Sequence, residues 1–384
     1  MPTPSRRSQA LIVMAVAAIL IAVASVVYLR PAGRAAQTAS RPQAVTYPGP
    51  AQFVSARTGW IVVNGSVLAT SDGGHHWRRM GDLPSLSVTS IRVFDDRRGL
   101  VLGSSQPAVA RMKRLVRTDD GGAHWTDEPL PSNGQIEGAG SVAAFADPAH
   151  GWYLRSLIAG AAPHDFSLYR TNDGGSHWTA MVSTDNLHPA DHGRSSGGTP
   201  TGLKFTDAST GWLVQAPVIV ADAVLSMTSD GGANWQAATL PAPPGDATPL
   251  SDIGLPTVFP DGTALVWAVR GFINRTAYVY GSADGGRTWG TPVRLEQPVG
   301  TTAFLDATHW WRGAGAAAFT TSDAGRSRRR GGPVPDGLSI SWLQPVSDRS
   351  AWAIGVKPAF ARAELFRTDD GAGHWSVVPL DLRG

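Results

Sequence analysis

The 384-residue chain contains no cysteine, so disulfide bonds, thiolate metal ligands and cysteine nucleophiles are all excluded. Charge is also sparse: 16% of the residues are charged and the formal net charge is +3. The charges are scattered and form no basic helix, which argues against nucleic acid as a partner. One dense basic cluster, RSRRR at 326–330, fits a solvated hairpin tip or, alternatively, a contact with an acidic partner or a lipid headgroup.

The sequence also lacks the motifs of common catalytic and cofactor sites. It contains no H-E-x-x-H, no P-loop and no EF-hand loop. Its DGG runs are not followed by the Lys-[Ser/Thr] pair that holds phosphate in a P-loop. We therefore expect no cofactor and no catalytic residue, and predict a protein without chemistry of its own.

An internal repeat dominates what is present. The pattern [ST]-x-D-x-G-x-x-W, called the box below, fits TSDGGHHW at 70, TDDGGAHW at 118, TNDGGSHW at 171, TSDGGANW at 228 and SADGGRTW at 282. Two degenerate copies follow: TSDAGRSR at 321 has Arg328 at the tryptophan position, and TDDGAGHW at 368 has Ala372 at the glycine position. We predict that the box aspartates organise turns, because an aspartate side chain accepts hydrogen bonds from the N–H groups of its own turn. They are Asp72, Asp120, Asp173, Asp230, Asp284, Asp323 and Asp370.

A second motif precedes each box and is clearest in FVSARTGWIV at 53, FADPAHGWYL at 145 and FTDASTGWLV at 205. With the flanking β-rich runs, each unit reads as four short strands. Units of this kind predict propeller blades, which bury their faces only by stacking around a ring. We therefore predict an all-β fold, a seven-bladed β-propeller of four-stranded blades, over residues 46–384.

In these two motifs the chain resembles Asp-box, or bacterial neuraminidase repeat, propellers. The pairing of the motifs is most similar to the photosystem II stability/assembly factor family, over about residues 46–384. The resemblance implies a non-catalytic scaffold or chaperone for a membrane complex, with a protein or an envelope polymer as partner. The alternative is a sialidase-like glycan-binding protein or glycoside hydrolase. Against a sialidase, the Arg-Ile-Pro motif of that family is absent, and glutamate occurs only at Glu128, Glu137, Glu296 and Glu364.

The N-terminus predicts export. After a short tail at 1–9, ALIVMAVAAILIAVASVVYL at 10–29 is long and apolar enough to span a bilayer as one transmembrane helix. Residues 30–45 then form a polar linker rich in alanine and proline. We expect a signal-anchor in the cell membrane with the propeller on the extracytoplasmic side. The alternative is a secreted protein, cleaved as a signal peptide before Ser25.

Histidines suggest metal sites, but weakly. His76, His124, His177 and His374 each precede a box tryptophan, and equivalent positions on different blades lie too far apart to share one metal. We interpret them as turn residues. The insert HPADH at 188–192 offers His188, Asp191 and His192 as a weak candidate for a metal site, although a polar loop is the simpler interpretation.

Loop lengths indicate the binding face. The first and third turns of each unit are short and uniform, whereas the second turns and the links between blades vary, so the variation gathers on the face opposite the boxes. Near the second-strand ends on that face, polar side chains form a candidate binding arc: Arg155, Gln215, Arg270, Arg312 and Lys357. The first three each follow a motif tryptophan by three residues, so we place them at equivalent points of the third, fourth and fifth units. The arc would receive a carboxylate-rich peptide or glycan, and the alternative is solvated strand ends. In either case these side chains are expected to be exposed, and a double change of Arg155 and Arg270 to alanine is expected to cost little stability.

Overall fold

Glycine-rich turns alternate with short β-rich runs along the chain, and in the computed structural model these runs pair as antiparallel strands of seven sheets. The structure describes residues 48–380 except 82, 84–85, 106–112, 133–136, 138–139, 157–165, 185–197, 218–220, 296–299 and 358–362. All of them belong to the unit Thr46–Gly384. The predicted segments 1–9, 10–29 and 30–45, and the candidate ligands His188, Asp191 and His192, lie outside the described residues.

Each of the first four blades consists of four consecutive strands. Blade 1 contains β1 (Pro48–Phe53), β2 (Gly59–Val63), β3 (Ser66–Thr70) and β4 (Arg78–Arg79). Blade 2 contains β5 (Leu86–Val93), β6 (Gly99–Ser105), β7 (Lys113–Thr118) and β8 (Thr126–Glu128). Blade 3 contains β9 (Val142–Phe145), β10 (Gly151–Ser156), β11 (Phe166–Thr171) and β12 (Thr179–Thr184). Blade 4 contains β13 (Gly198–Phe205), β14 (Gly211–Pro217), β15 (Val224–Thr228) and β16 (Gln236–Ala238).

The last three blades repeat this order, with one interruption. In blade 5 the first strand is split into β17 (Leu250–Ile253) and β18 (Thr257–Val258), followed by β19 (Ala264–Arg270), β20 (Thr276–Ser282) and β21 (Val293–Leu295). Blade 6 contains β22 (Thr301–Phe304), β23 (Trp310–Ala314), β24 (Ala317–Thr321) and β25 (Arg329–Pro333). After a 3-10 turn at Pro335–Gly337, blade 7 contains β26 (Ser339–Pro345), β27 (Ala351–Val356), β28 (Ala363–Thr368) and β29 (Ser376–Val378). The predicted seven-bladed propeller of four-stranded blades is confirmed.

The first strand of each blade lies innermost. First strands of neighbouring blades contact one another, as β1 with β5, β9 with β13 and β22 with β26 do. At the joint between blades 1 and 2, the Gln52 side chain accepts from the Val93 N–H at 2.9 Å and donates to the Val93 carbonyl at 3.2 Å. The glutamine therefore extends the backbone pairing from one blade to the next.

The Gly-Trp motif explains how the blades pack. A Cβ on Gly59 would lie 2.1 Å from the Phe53 ring, so only glycine lets this ring lie across the adjacent strand. The motif tryptophan is buried against the next blade: Trp152 of blade 3 stacks on Phe205 of blade 4, with ring centroids 3.5 Å apart. Trp235, from the box of blade 4, meets the same phenylalanine edge-on at 6.1 Å. These aromatic layers fill the space between the blades together with buried leucines such as Leu168 and Leu203.

All seven boxes have the same hydrogen-bond pattern. In box 3 the Thr171 hydroxyl donates to the Asp173 carboxylate at 2.8 Å and accepts from the Gly175 N–H at 2.9 Å. The carboxylate also accepts from the N–H of His177 at 2.9 Å. The turn role predicted for the box aspartates is seen in each copy, and the same serine or threonine contact is made by Asp72, Asp120, Asp230, Asp284, Asp323 and Asp370.

Backbone bonds join each box to the first turn of its own blade. The residue after the box aspartate donates its N–H to a first-turn carbonyl in all seven blades, as Gly73 does to Arg57 at 2.8 Å and Ala324 does to Thr308 at 3.0 Å. The first and third turns therefore lie on one face of the propeller. The second turns and the links between blades lie on the opposite face.

The ring closes by side-chain packing between blades 7 and 1, and no strand pairing joins the two blades in the described part of the chain. Phe53 stacks on Trp352 with ring centroids 3.9 Å apart. The Gln344 side chain bonds both the N–H and the carbonyl of Phe53, at 2.9 and 2.7 Å, and Arg367 donates to the Gly73 carbonyl at 2.9 Å. Closure thus uses the same kinds of contact as the joints between internal blades.

Candidate functional site

The predicted arc lies on strands at the face opposite the boxes, but four of its five side chains are buried. The exposed fraction is 2% for Arg155, 1% for Gln215, 5% for Arg270 and 9% for Arg312. Lys357 is the exposed member. The expectation of exposed side chains is therefore wrong for the four buried ones. Whether the arc binds a ligand stays a prediction.

Arg155 is turned inward to a buried acidic group. Its Nε lies 3.4 Å from Oε1 of Glu137, which belongs to the link between blades 2 and 3. The Tyr153 hydroxyl donates to the other carboxylate oxygen of Glu137. Burial raises the pKa of Glu137 and that of Tyr153, and the Glu137 charge raises the Tyr153 pKa further. This triad ties the link to the second strand of blade 3.

Arg270 has the same task at the link between blades 4 and 5. It donates to the Thr248 carbonyl at 2.7 Å, to the Leu240 carbonyl at 3.3 Å and to the Tyr280 hydroxyl at 3.2 Å. Nearby, the Tyr278 hydroxyl donates to the Asp246 carboxylate of the same link at 2.7 Å. Arg270 therefore holds the backbone of the link at two points.

The remaining buried members make shorter-range contacts. Gln215 donates to the Gly198 carbonyl at 3.2 Å, which fixes the start of the neighbouring first strand. Arg312 donates to the Thr302 hydroxyl at 2.5 Å, and burial together with the charge of Arg328 lowers its pKa to about 10. Gln215 therefore fixes a strand start, and Arg312 bonds its cross-strand partner within blade 6.

The strand register corrects the proposed equivalence of Arg270 with Arg155 and Gln215. Gly151 pairs with Thr171, the first residue of its box, and in blade 5 it is Ala264 that pairs with the corresponding Ser282. Leu265, not Trp267, therefore stands at the motif tryptophan position of blade 5. The position of Arg270 was counted from Trp267, which lies two residues beyond the motif tryptophan position on the same face of the strand. The predicted equivalence with Arg155 and Gln215 is therefore wrong.

The box histidines pair with their own aspartates, as the turn interpretation predicted. Nδ1 of His76 lies 2.6 Å from the Asp72 carboxylate, and the pairs at boxes 2, 3 and 7 are equivalent. Asn234, Thr288 and Ser327 make this contact in boxes 4, 5 and 6. Within the described residues, no group of three or more His, Asp or Glu side chains could hold a metal ion.

The aspartates of the first turns are occupied in a similar way. Asp147 accepts from the N–H groups of Ala149 and His150, both at 2.8 Å, and Asp207 and Asp306 accept equivalent bonds. Backbone N–H groups contribute to the lowered pKa of the Asp306 carboxyl, about 2, although desolvation opposes them. Carboxylates held ionised inside turns do not supply the raised-pKa acid that glycosidases require.

The sequence analysis did not predict the acidic residues that contact the buried members of the arc. Glu137 and Asp246 lie in links of irregular sequence, where no periodicity predicts which side chains turn inward. One signal in the sequence could have found the Glu137 contact. Glutamate is scarce in this chain, and lone buried charges are rare in proteins. A glutamate close in sequence to an arginine on a buried strand therefore predicts an ion pair. A second missed pair, Arg92 and Lys204, lies on the first strands of blades 2 and 4, where partial burial and the Arg92 charge lower the Lys204 pKa to about 8.

The fold and its boxes define the class of this protein, a seven-bladed Asp-box propeller. No model of a known protein family matches the chain. It is 28% identical, over 291 residues, to the photosystem II assembly lipoprotein Ycf48 of Synechococcus sp. (strain CC9902), covering 66% of this chain and 78% of the relative. This similarity confirms the resemblance to the photosystem II assembly factors.

Two solved structures share the fold. Ycf48 from Cyanidioschyzon merolae is 17% identical, with a TM-score of 0.57 over 86% of this chain and 95% of the relative. A structure of Ycf48 bound to D1 peptide is also 17% identical, with a TM-score of 0.52 over 89% of this chain and 94% of that chain. Among the described residues, no helix is both long and apolar enough to span a membrane.

Proposed function

We propose that the protein is a non-catalytic assembly scaffold, anchored in the cell membrane, whose extracytoplasmic propeller binds a protein or an envelope polymer. The sequence similarity to a photosystem II assembly lipoprotein carries this proposal, because it extends over 291 residues and most of the relative's length. The structure of Ycf48 with D1 peptide adds that a propeller of this fold holds a peptide in that protein. For this chain we propose a partner of the same chemical kind, a polypeptide segment.

The binding face in this proposal is the one opposite the boxes. The links between blades lie there, and buried Arg155, Gln215 and Arg270 fix two of these links and one strand start, so the face has a rigid base. Arg312 bonds Thr302 on the neighbouring strand of blade 6. Lys357 is exposed at the end of the second strand of blade 7 and offers a direct contact for a carboxylate.

Capture from solubilised membranes tests the partner, with two charge reversals of matched size. Lys357→Glu changes the proposed face, and Arg57→Glu changes an exposed arginine in a first turn on the box face. We expect the first variant to retain less partner at low salt and the second to retain as much as the wild type, since exposed charge contacts are screened by salt. Loss with Arg57→Glu alone would move the binding face to the boxes.

Hydrolysis of a sialoside or glucan by the purified protein would refute the non-catalytic role.

The anchor is tested separately. If residues 10–29 remain as a membrane helix, the full chain will stay in the membrane pellet after a carbonate wash, with its propeller open to protease from the outside only. A mature chain that begins at Ser25 would instead establish the secreted alternative.

A further inference from the structure

The second turn of blade 5 presents two adjacent apolar side chains to solvent. It joins β19 to β20 through residues 271–275, called the hairpin tip below, and the exposed fraction is 42% for Phe272 and 92% for Ile273. Among the described residues only four large apolar side chains are exposed, and the other two, Val54 and Val377, stand singly. Single exposed apolar residues are ordinary on a protein surface, whereas an adjacent pair at a loop tip indicates a contact surface.

The turn itself does not require these side chains. Blade 1 joins its second and third strands through Asn64 and Gly65 alone, both of positive φ and both exposed, as tight hairpins prefer. Ile273 packs little against its own blade, since most of its surface is open to water. Neither turn formation nor the core therefore accounts for an apolar pair at this tip.

The base of the hairpin tip is held in place and its charge is compensated. The Gly271 N–H donates to the Pro249 carbonyl at 2.8 Å, and a Cβ on Gly271 would lie 2.6 Å from the Asn274 carbonyl oxygen, so the loop folds closely on itself. Arg275 lies 3.7 Å from the Asp252 carboxylate. The tip thus combines a fixed base with an ion pair, and it can enter an apolar medium without burying a lone charge.

The chain enters the propeller on the face that carries the hairpin tip. β1 ends at a first turn, on the box face, so it begins at Pro48 on the opposite face, where the second turns lie. In the proposed function, residues 10–29 are a membrane helix and residues 30–47 are its linker. A flexible linker of this length has an average span of roughly 20–25 Å. The start of β1 then stays close to the bilayer, while the linker alone fixes no orientation.

The sequence between the second and third strands is apolar in other blades as well. It reads PAVA at 107–110, LIAGAA at 157–162, VIV at 218–220 and PAFA at 358–361. These segments lie outside the described residues and are not part of the site proposed here. Turns that face only water are ordinarily rich in polar residues, glycine and proline. Apolar composition repeated in several blades favours an extended lipid surface over a single peptide as the contact.

We propose that the hairpin tip inserts Phe272 and Ile273 into the interfacial region of the membrane that anchors the chain. Aromatic and aliphatic side chains bind at the boundary between headgroups and acyl chains, with a strength that follows the apolar area buried. Two side chains form a small contact, so the tip orients a propeller that the helix already anchors. The face opposite the boxes then meets polypeptide segments that emerge from the same bilayer. This inference rests on the anchored form of the proposed function.

Because the chain has no cysteine, one introduced thiol gives a unique label. A polarity-sensitive fluorophore is attached to Ile273→Cys in the full chain, reconstituted in phosphatidylcholine vesicles with and without nitroxide-labelled lipid. Insertion by a few ångströms should let the nitroxide reduce the emission to about half or less. The matched control is His75→Cys, an exposed position in the first box, where emission should stay unchanged. No quenching at position 273, or equal quenching at both positions, would overturn the insertion.

A second pair of variants tests the apolar character of the tip. In the Ile273→Cys background, Phe272→Asp should abolish the quenching because a charged side chain is costly in lipid, whereas Phe272→Leu should retain it. Phe272 is partly exposed, so equal melting temperatures should accompany both changes. Quenching that survives the aspartate would contradict the proposal.

The carbonate wash separates failure of the tip from failure of the anchor. A full chain that stays in the membrane pellet while its label at position 273 is not quenched would refute the tip alone. A chain lost from the pellet would refute the anchor, and the second attachment with it. Reduced partner capture by Phe272→Asp, without quenching in the labelled parent, would assign the tip to an apolar protein partner and overturn the lipid contact.

Discussion

Within a single box, the two members of the Thr–Asp pair differ in exposure, and this predicts different costs of removal. Thr171 is 1% exposed and accepts from the buried Gly175 N–H, so Thr171→Val should destabilise by about 1–3 kcal/mol, since that N–H loses its acceptor. Asp173 is partly exposed, so water can replace some of the hydrogen bonds that Asp173→Ala removes. We expect this variant to lose about 1 kcal/mol of stability. Denaturant unfolding measures both, and a larger loss for the aspartate variant would contradict this order.

The Asp173 carboxylate should make the stability of the protein depend on pH. Bonds from the backbone N–H and ring of His177 lower the Asp173 pKa to about 2, below its ordinary value of 3.8. A lowered folded-state pKa stabilises the fold above the unfolded-state value, and this contribution is lost as pH falls through the folded one. The stability difference between wild type and Asp173→Ala should therefore shrink from about pH 4 to pH 2. A difference that stays constant over this range would exclude the linkage.

The degenerate boxes keep the backbone of the intact ones at a local cost. Ala324 has a φ of 59° where the intact boxes have glycine, as Gly73 has at 82°. An alanine in the left-handed region is strained by about 1–2 kcal/mol, and glycine relieves this strain. The greater conformational entropy of glycine in the unfolded chain offsets part of the stability that is gained. We expect Ala324→Gly to stabilise the protein by about 0.5–1 kcal/mol. A loss of stability in denaturant unfolding would show that the alanine methyl packs usefully.

At the scale of strands and links, the Arg155–Glu137 pair predicts strong coupling. Arg155→Ala removes the cation beside a buried carboxylate, and breaking such a pair from one side costs about 3–5 kcal/mol. Adding Glu137→Gln should recover part of this loss, because a neutral amide needs no counter-ion. A double-mutant cycle measures the coupling. Losses that simply add in the double variant would mean that the pair is not an energetic unit.

Blade 6 has Trp310 where the clear Gly-Trp motifs have glycine, and Arg328 where the other six boxes have tryptophan. This exchange can be tested by reversing it. Trp310→Gly empties the space beside Phe304 and should cost about 3–5 kcal/mol, and Arg328→Trp adds a second large ring to a filled space, at about 1–3 kcal/mol. Together the two changes restore the usual arrangement, so the double variant should lose less stability than the sum of the two single losses. Additive losses would show that the two tryptophan positions do not share one space.

These elements show where prediction from sequence succeeds. The boxes and Gly-Trp motifs predict blade number, strand order and the box face because each motif fixes its own turn locally. The environment of Arg155 and Arg270 could not be predicted, because it depends on irregular links whose backbone carbonyls and acidic groups come from more than ten residues away. The arc was placed on the correct strands, while its burial was decided by tertiary contacts.

For the whole molecule, the question is what keeps seven blades in a ring. Each blade is built from consecutive strands, so the ends of the chain meet only through the joint between blades 7 and 1. That joint repeats an internal one: Trp352 stacks on Phe53 as Trp152 stacks on Phe205. Arg367 lies over Trp352 and Arg170 over Trp152, at 5.4 and 5.7 Å. The two joints are therefore chemically alike and differ in whether the chain also connects the blades.

This difference predicts unequal consequences of one substitution. Trp352→Ala and Trp152→Ala should each cost about 3–5 kcal/mol in stacking and packing, because each removes a fully buried tryptophan. At the internal joint, the covalent link between blades 3 and 4 keeps the surfaces together. At the closing joint nothing covalent does, so Trp352→Ala should also let blades 1 and 7 open below the global unfolding free energy. Hydrogen exchange should then accelerate in β1–β4 and β26–β29 while blades 3 and 4 stay protected, and Trp152→Ala should give no such local opening. Equal exchange patterns in the two variants would show that the link adds nothing to the joint it spans.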